Sequence, residues 1–317
     1  MIATDSSLGL DILLEMRQAR IEALKELQEE RNSFIFVLWN MDELKRENFF
    51  TLADMLEEEN PTKDIELFVL SPGGNGEAGY RIGHSFQQWA KQRNLEFRVV
   101  IPQYAMSAAT ILSLGANTLI MGLQSEIGPI DPQIPKYDLS RGRWRYIPAM
   151  SVVDGLKLIS EYLSNISAMS SFFEEIVKSA KLTLDDLGLL ERARESGKQY
   201  GETLLKDGMI PDEKIARATV ERLSDYYKYH GHPIDAFEAE EKLNLKVRYC
   251  QGDDWSKIKA IRANYDAFVG QPGLILGAVV SSAIETVNLR QWRFLSLEQG
   301  RETVLMRPST FDELAVK

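Results

Sequence analysis

The sequence predicts an α/β protein with a parallel sheet that is covered by helices on both faces. From residue 33 onward, short apolar runs alternate with segments of helical character. The apolar runs are nearly continuous rather than alternating with polar positions, which is typical of strands buried on both faces of a sheet. The predicted strands are 34–38, 65–70, 97–101 and 118–121.

An amphipathic helix is predicted over about residues 11–31, before the first strand. Its apolar residues recur every three or four positions, which places them on one face of a helix. These residues are Ile12, Met16, Ala19, Ala23 and Leu27. We expect this face to pack on the protein's own core, with a partner subunit as the alternative.

The rest of the chain supplies the remaining predicted elements. Helices are expected between the strands at 43–59, 76–93 and 107–115. An exposed, Arg-rich loop is expected at 136–147, followed by helices at 151–180, 183–198, 211–229 and 235–243, a strand at 245–248, and a helix with a β-rich tail at 253–317. The predicted domains are an N-terminal helix (1–31), a central domain (32–250) with a helical insertion at about 150–229, and a C-terminal extension (251–317).

The composition excludes several classes of partner. The 317 residues include 37 basic and 47 acidic ones, a net charge of −10, whereas a nucleic acid or an anionic membrane would need a basic face. Cys250 is the single cysteine, so an internal disulfide and a cysteine-rich metal site are excluded, as expected in a reducing compartment. There is no secretory-signal pattern and no run of ~18 apolar residues. We therefore expect a cytoplasmic protein with no membrane span, no metal and no cofactor.

A glycine-rich turn follows the second predicted strand. The segment from Ser71 through Pro72, Gly73 and Gly74 leaves an apolar run and enters a predicted helix. Adjacent glycines allow backbone N–H groups to point into an open cleft, and the helix N-terminus adds positive potential. The turn is therefore suited to an anion or to a developing oxyanion, although a tight strand-to-helix connection would use the same residues.

Two nucleotide-binding interpretations of this turn are weaker. A phosphate-cradling loop needs Lys and Ser or Thr after its last glycine, but Tyr80 and Arg81 stand there. Gly74, Gly76 and Gly79 match the spacing of a dinucleotide fingerprint. However, the next predicted strand ends without the acidic residue that would hold a ribose hydroxyl, so a dinucleotide site is only a distant alternative.

A second turn follows the third predicted strand and carries Ser107. Small residues flank this serine, which permits a sharp turn and keeps the hydroxyl accessible, as a nucleophile requires. A serine at this place could instead simply cap the next helix.

Together the two turns resemble the Clp protease/crotonase superfamily, most closely its serine dehydrogenase proteinase branch, which is related to the signal peptide peptidase A family. Three segments stand in the family's order: 71–74, 105–109 and 127–133. The resemblance is specific over about 33–135 and extends less distinctly to about 248. It implies a spiral of ββα units, a nucleophilic Ser107, and an oxyanion hole made by the N–H of Gly73 or Gly74 together with that of Ala108.

The resemblance also implies where the general base lies, because a serine hydroxyl needs one. Clp-type peptidases place their catalytic histidine at a distance after the serine that, in this chain, leads to Asp131. The segment of this chain that leads up to the family's acid position contains His230 and His232. Histidine and aspartate thus stand exchanged, which implies a triad of Ser107, Asp131 and His230. His84, the third histidine, is expected on an exposed helix face.

Other sources of the base and other functions stay open. A Ser-Lys dyad could use Lys157, Lys178 or Lys181, and a metal site on the two neighbouring histidines would lack a recognisable third ligand. The function predicted is a serine peptidase acting on peptides or proteins, and the resemblance implies a homo-oligomer. A crotonase-type acyl-thioester enzyme and a non-catalytic scaffold are the alternatives from other classes.

Overall fold

The structure is a computed structural model that describes residues 6–138, 142–148, 154–155, 157–158, 161, 184–270, 278–296 and 302–306. The strands are β1 (Ser33–Asn40), β2 (Asp64–Leu70), β3 (Phe97–Ile101), β4 (Tyr104–Ala105), β5 (Thr118–Met121), β6 (Glu126–Ile127), β7 (Gln133–Asp138), β8 (Arg143–Pro148), β9 (Ile234–Asp235), β10 (Val247–Tyr249), β11 (Ala278–Glu285), β12 (Arg290–Ser296) and β13 (Glu302–Met306). The helices are α1 (Ser6–Arg31), α2 (Arg46–Glu59), α3 (Gly76–Gln92), α4 (Ala108–Ser113), α5 (Leu184–Asp207), α6 (Glu213–Glu221), α7 (Ala236–Glu241) and α8 (Gly252–Asp266), and a π-helical turn (Arg222–Tyr226) follows α6.

An eight-stranded sheet in the order β10-β5-β3-β2-β1-β11-β12-β13 organises the molecule. The five strands from β10 to β1 are parallel, and the three C-terminal strands continue the sheet in antiparallel fashion beyond β1. The predicted α/β class and the parallel arrangement of the first strands are thus confirmed.

Both faces of this sheet are buried, as the nearly continuous apolar runs predict. Along β1, Phe36 and Leu38 join a core formed with α2, α3 and α4, whereas Val37 and Trp39 join a second core formed with α1 and α8. The alternation of side chains along a strand accounts for this division.

The N-terminal helix packs on the protein's own core, with its buried face slightly rotated from the predicted one. Ile21, Leu24 and Leu27 are buried in the second core, while the predicted Ala19 is exposed. The buried guanidinium of Arg20 also lies on this face, which the apolar periodicity could not indicate.

Three expectations for the middle of the chain have different outcomes. The expected loop at 136–147 is wrong, because β7 and β8 form an antiparallel hairpin there. Most of the helix expected at 151–180 lies outside the described residues. The helix expected at 211–229 is shorter and gives way to the π-helical turn at 222–226.

A small second sheet stands beside the carboxyl ends of the parallel strands. Strands β4 and β6 pair in parallel, and β9 pairs antiparallel with β6. A single bridge joins Ser71, just after β2, to Ala105 in β4. The glycine turn and the Ser107 turn are therefore held side by side.

Candidate active site

Ser107 occupies a strained turn between β4 and α4. Its φ of 51° and ψ of −114° lie outside the regions that a non-glycine residue ordinarily adopts. The turn is tied to the glycine turn by two backbone hydrogen bonds: Met106 N–H donates to the Ser71 carbonyl at 3.0 Å, and Ser71 N–H donates to the Tyr104 carbonyl at 3.2 Å. This strand–turn–helix geometry is typical of an activated serine.

The glycine turn requires glycine at two positions. Gly73 and Gly74 have φ values of 98° and 141°. A Cβ on Gly73 would lie 2.8 Å from the Cβ of Ser107, and one on Gly74 would lie 2.4 Å from the backbone nitrogen of Leu44. Gly73 thus permits contact with the serine turn, and Gly74 permits contact with the segment before α2.

The N–H groups at these turns differ in their hydrogen bonding. Gly73 N–H donates to the Ser71 hydroxyl at 3.2 Å. Within the described part of the chain, no acceptor is found for the N–H of Gly74 or of Ala108. Sequence reasoning left Gly73 and Gly74 equivalent, because the hydrogen bond that Gly73 N–H donates to the Ser71 hydroxyl forms only in the folded turn.

A buried threonine joins the serine turn to the loop that carries Asp131. The Thr110 hydroxyl, on α4, accepts from Gly128 N–H at 3.1 Å and lies 2.8 Å from the Ala105 carbonyl, to which it can donate. The loop after β6 is thereby fixed relative to Ser107.

His230 and Asp131 meet although they are 99 residues apart in the chain. The imidazole Nδ1 lies 2.6 Å from the Asp131 Oδ1, and the carboxylate side chain is 5% exposed. An imidazole whose Nδ1 faces a carboxylate has its Nε2 available for a second partner. The backbone supports this pair, because Ile130 N–H donates to the Leu223 carbonyl at 3.2 Å.

The other two histidines have different surroundings. The His232 ring stacks on Tyr227, with centroids 4.7 Å apart. The His84 ring stacks on Tyr80 in α3 at 5.4 Å. In the described residues, neither has the carboxylate contact that His230 makes, and no group of three or more His, Cys, Asp or Glu is placed to hold a metal.

Ser107, Ala108, both glycines and His230 line one cleft of about 750 Å³. One wall of the cleft is formed by α5, through residues at helical spacing. These are Ala193, Ser196, Gly197 and Tyr200. Sequence reasoning missed this wall, although the i, i+3, i+4, i+7 spacing of mostly small residues was a signal for it. The charged residues that line the cleft include Glu43, Lys45, Arg46 and Glu77.

The lysines proposed for a dyad are not brought to this cleft within the described residues. Lys157 is exposed and is absent from the cleft lining, and Lys178 and Lys181 lie outside the described residues. Lys45 does line the cleft, and its Nζ lies 3.0 Å from the Asp42 carboxylate.

Comparison with known proteins supports the resemblance. Residues 13–142 match the model of the ClpP-like SDH-type serine proteinase family. Two uncharacterized proteins of Methanocaldococcus jannaschii are similar over most of the chain: MJ0137 is 27% identical over 245 residues, 74% of either chain, and MJ1495 is 24% identical over 243 residues, 72% of this chain and 71% of the other.

Among solved structures, a mutant of the 1510-N membrane-bound stomatin-specific protease overlaps 77% of this chain and 88% of its own, with 13% identity and a TM-score of 0.41. ClpP1 from Listeria monocytogenes overlaps 74% of this chain and 96% of its own, with 13% identity and a TM-score of 0.38. Within the described part of the present chain, no helix is long and apolar enough to cross a membrane.

Proposed function

Because residues 13–142 match the ClpP-like SDH-type serine proteinases, we propose that this protein is a serine peptidase with Ser107 as its nucleophile. The observation that carries the proposal is the 2.6 Å contact between His230 Nδ1 and Asp131 Oδ1, because His230 lines the same cleft as Ser107. The pair gives the serine a candidate base whose ring is oriented by a buried acid.

In the proposed mechanism, His230 Nε2 removes the Ser107 proton as Oγ attacks the scissile carbonyl carbon. The Asp131 carboxylate orients the ring and stabilises the imidazolium. The imidazolium then gives its proton to the leaving amine, which breaks the peptide bond and leaves an acyl-enzyme. A water molecule, deprotonated by the same imidazole, attacks the acyl group and releases the product acid with Ser107 regenerated.

The oxyanion of each tetrahedral intermediate would be bound by the N–H groups of Gly74 and Ala108. Both lie at turns that line the cleft, and Gly73 N–H already donates to Ser71. Preorganised backbone donors of this kind stabilise charge that develops in the transition state. Gly73 would contribute by allowing the two turns to touch.

The substrate, the assembly and the location are further parts of the proposal. A cleft of about 750 Å³ that is open to solvent and is lined in part by charged residues suits a peptide or an unfolded protein segment. We propose a homo-oligomer because of the family resemblance, and a cytoplasmic location because a single cysteine is expected in a reducing compartment. Gel filtration with light scattering tests the first, and fractionation of the source cells tests the second.

The direct test of the function is hydrolysis of an unfolded protein such as casein. Ser107→Ala should lose hydrolysis while retaining the folded state, because it removes one hydroxyl from a turn of small residues. Ser113→Ala is the matched control: it removes a serine hydroxyl at the other end of α4, where Ser113 is buried and donates to the Ala109 carbonyl at 2.7 Å. Full hydrolysis by Ser107→Ala would overturn the proposal that Ser107 is the nucleophile. A wild-type Ser107 that does not react with an active-site phosphonate would instead favour an acyl-thioester enzyme, which needs no nucleophilic serine.

A further inference from the structure

We infer that Asp225 is a positioning residue that clamps the cleft wall formed by α5 to the segment that carries His230. The inference rests on the proposed function, since it concerns how the base and the substrate wall are held. Asp225 lies in the π-helical turn at 222–226, a type of irregularity that occurs frequently at functional sites.

Helix α5 presents two adjacent stripes with different contacts. One stripe, which includes Gly197 and Tyr200, lines the cleft. The neighbouring stripe carries Arg194 and Lys198, one turn apart, and both side chains reach Asp225. A shift of α5 that changed the cleft wall would therefore strain the contacts with Asp225.

The contacts at Asp225 are well formed. Arg194 donates from Nε to Oδ1 at 3.1 Å and from Nη2 to Oδ2 at 2.9 Å, and Lys198 Nζ donates to Oδ2 at 2.9 Å. The two basic side chains are 18% and 13% exposed and the carboxylate is 33% exposed. A bidentate pair of this geometry is more specific than a simple surface ion pair.

The segment from Leu223 to His230 is anchored at several points beyond the clamp. The Leu223 carbonyl accepts from Ile130 N–H, next to Asp131. The Tyr227 hydroxyl donates to Glu238 Oε1 at 3.1 Å. Burial of the ring and, to a lesser extent, this contact raise the pKa of Tyr227 to about 12, so the hydroxyl keeps its proton. Among the described residues, Asp225 is the side chain of this segment that forms ion pairs with α5, the cleft wall.

The clamp should therefore affect both binding and chemistry. Loosening α5 changes the wall against which a substrate lies, and loosening the 223–230 segment moves the base relative to Ser107. A misplacement of about 1 Å at a reacting group can lower the rate about 10²-fold.

The experiment compares Asp225→Asn with the wild-type chain by steady-state hydrolysis and by amide hydrogen exchange. We expect kcat to fall at least about 10-fold and KM to rise, with faster exchange of the 222–230 amides at a temperature where both proteins are folded. In a double-mutant cycle, Arg194→Gln should add little to Asp225→Asn, because the two residues act as one unit.

Glu213→Gln is the control. It removes the same charge from the neighbouring helix α6, where Glu213 pairs at 3.5 Å with Lys206 and does not line the cleft. Unchanged exchange at 222–230 in Asp225→Asn, or kinetic constants equal to those of Glu213→Gln, would overturn the inference. A wild-type chain that hydrolyses nothing would overturn the proposed function instead, and the exchange measurement would still decide whether Asp225 holds the segment.

Discussion

At the residue scale, Ser107 is held with a φ of 51°, a conformation that costs a non-glycine residue on the order of 1–3 kcal/mol. The fold tolerates this cost because the turn that carries Ser107 is held in place by backbone hydrogen bonds to Ser71 and by the Thr110 hydroxyl. A serine that merely capped a helix would not need this backbone. The strain is therefore better explained by the presentation of a nucleophile than by capping, and α4 indeed receives no side-chain cap from Ser107.

Gly73→Ala should lower kcat about 10²–10³-fold, because separating the two turns would displace one of the proposed oxyanion donors, Gly74 N–H or Ala108 N–H, and the loss of one such donor has an effect of this size. The added methyl would lie 2.8 Å from the Ser107 Cβ and 2.6 Å from the Met106 carbonyl, so the two turns must separate. Gly76→Ala is the control, because its methyl would meet only Ile111 Cδ1 at an ordinary 3.6 Å. Equal kinetics for the two variants would show that the close approach at Gly73 is not needed for turnover.

His230→Ala should lower the rate about 10²–10⁴-fold, whereas His232→Ala should have a small effect. Only His230 faces the Asp131 carboxylate, while the His232 ring packs on Tyr227. A rate that survives His230→Ala would contradict the assignment of His230 as the base and would point to another base, such as a lysine.

The site could be predicted from the sequence only in part. Ser107 stands out by its small neighbours after a strand, and the exchange of Asp131 and His230 emerges from the resemblance. Their catalytic roles stay predictions, although the structure brings the two side chains together. The difference between Gly73 and Gly74 could not be predicted, because it depends on which N–H the Ser71 hydroxyl accepts.

At the element scale, the position of α4 depends on its close contact with α3. Gly79 and Gly83, one turn apart on α3, lie against the backbone of α4: Cβ atoms there would be 2.2 Å from the Ala108 carbonyl and 2.6 Å from the Leu112 carbonyl. The helix that begins after Ser107 is thus packed directly on the helix that begins after the glycine turn.

Gly83→Ala should lower the free energy of unfolding by about 1–3 kcal/mol, because the methyl would force two backbones apart. The matched variant is Gly188→Ala on α5, where no atom of the described residues outside the adjoining turns of α5 lies within 4 Å of the added methyl. That change should be neutral or stabilise by up to about 1 kcal/mol through helix propensity. Urea denaturation measures both; equal stability of the two variants would contradict the close contact.

The clamp at Asp225 predicts a pH dependence of stability. Burial alone would raise the pKa of this carboxyl, but hydrogen bonds from Arg194 and Lys198 outweigh it and lower the pKa below its ordinary value. A depressed folded-state pKa contributes stability above the unfolded value, and that contribution is lost as the pH falls through the folded-state pKa. The stability difference between wild type and Asp225→Asn should thus shrink from about pH 6 to pH 3; a constant difference would contradict it.

Most elements of the parallel sheet could be predicted, because their strands are apolar on both faces. The β7–β8 hairpin could not, since Pro135 and the arginines of 141–145 obscure its alternation. The π-helical turn was missed for another reason: its residues continue the helical pattern of α6, and the irregularity is accompanied by the tertiary contacts of Asp225.

At the scale of the whole molecule, the two ends of the described chain meet in one buried network. Arg20 of α1 donates to Glu285 of β11 at 3.1 Å, and the Tyr265 hydroxyl of α8 donates to the same carboxylate at 2.7 Å. Burial, together with this carboxylate, raises the pKa of Tyr265 well above its ordinary value. The contact between Arg20 and Glu285 spans 265 residues, which explains why the sequence did not reveal the role of the C-terminal strands.

Glu285→Gln should lower the free energy of unfolding by about 3–5 kcal/mol, because it removes the countercharge that the buried Arg20 contacts. Glu30→Gln tests the same pair of helices at the surface, where Glu30 of α1 pairs with Lys257 of α8 at 2.5 Å and both side chains are largely exposed. That change should cost less than about 1 kcal/mol. Similar losses in the two variants, measured by urea denaturation, would show that the buried network does not join the chain ends.

The nucleophile is tested most directly by labelling the wild-type protein with a fluorophosphonate and mapping the modified residue by mass spectrometry. An activated serine attacks the phosphorus and displaces fluoride, so we expect one phosphonate per chain, on the peptide that contains Ser107. The adduct should form slowly in His230→Ala and not at all in Ser107→Ala. No adduct on the folded wild-type protein, or an adduct on another residue, would contradict the assignment of Ser107 as the nucleophile.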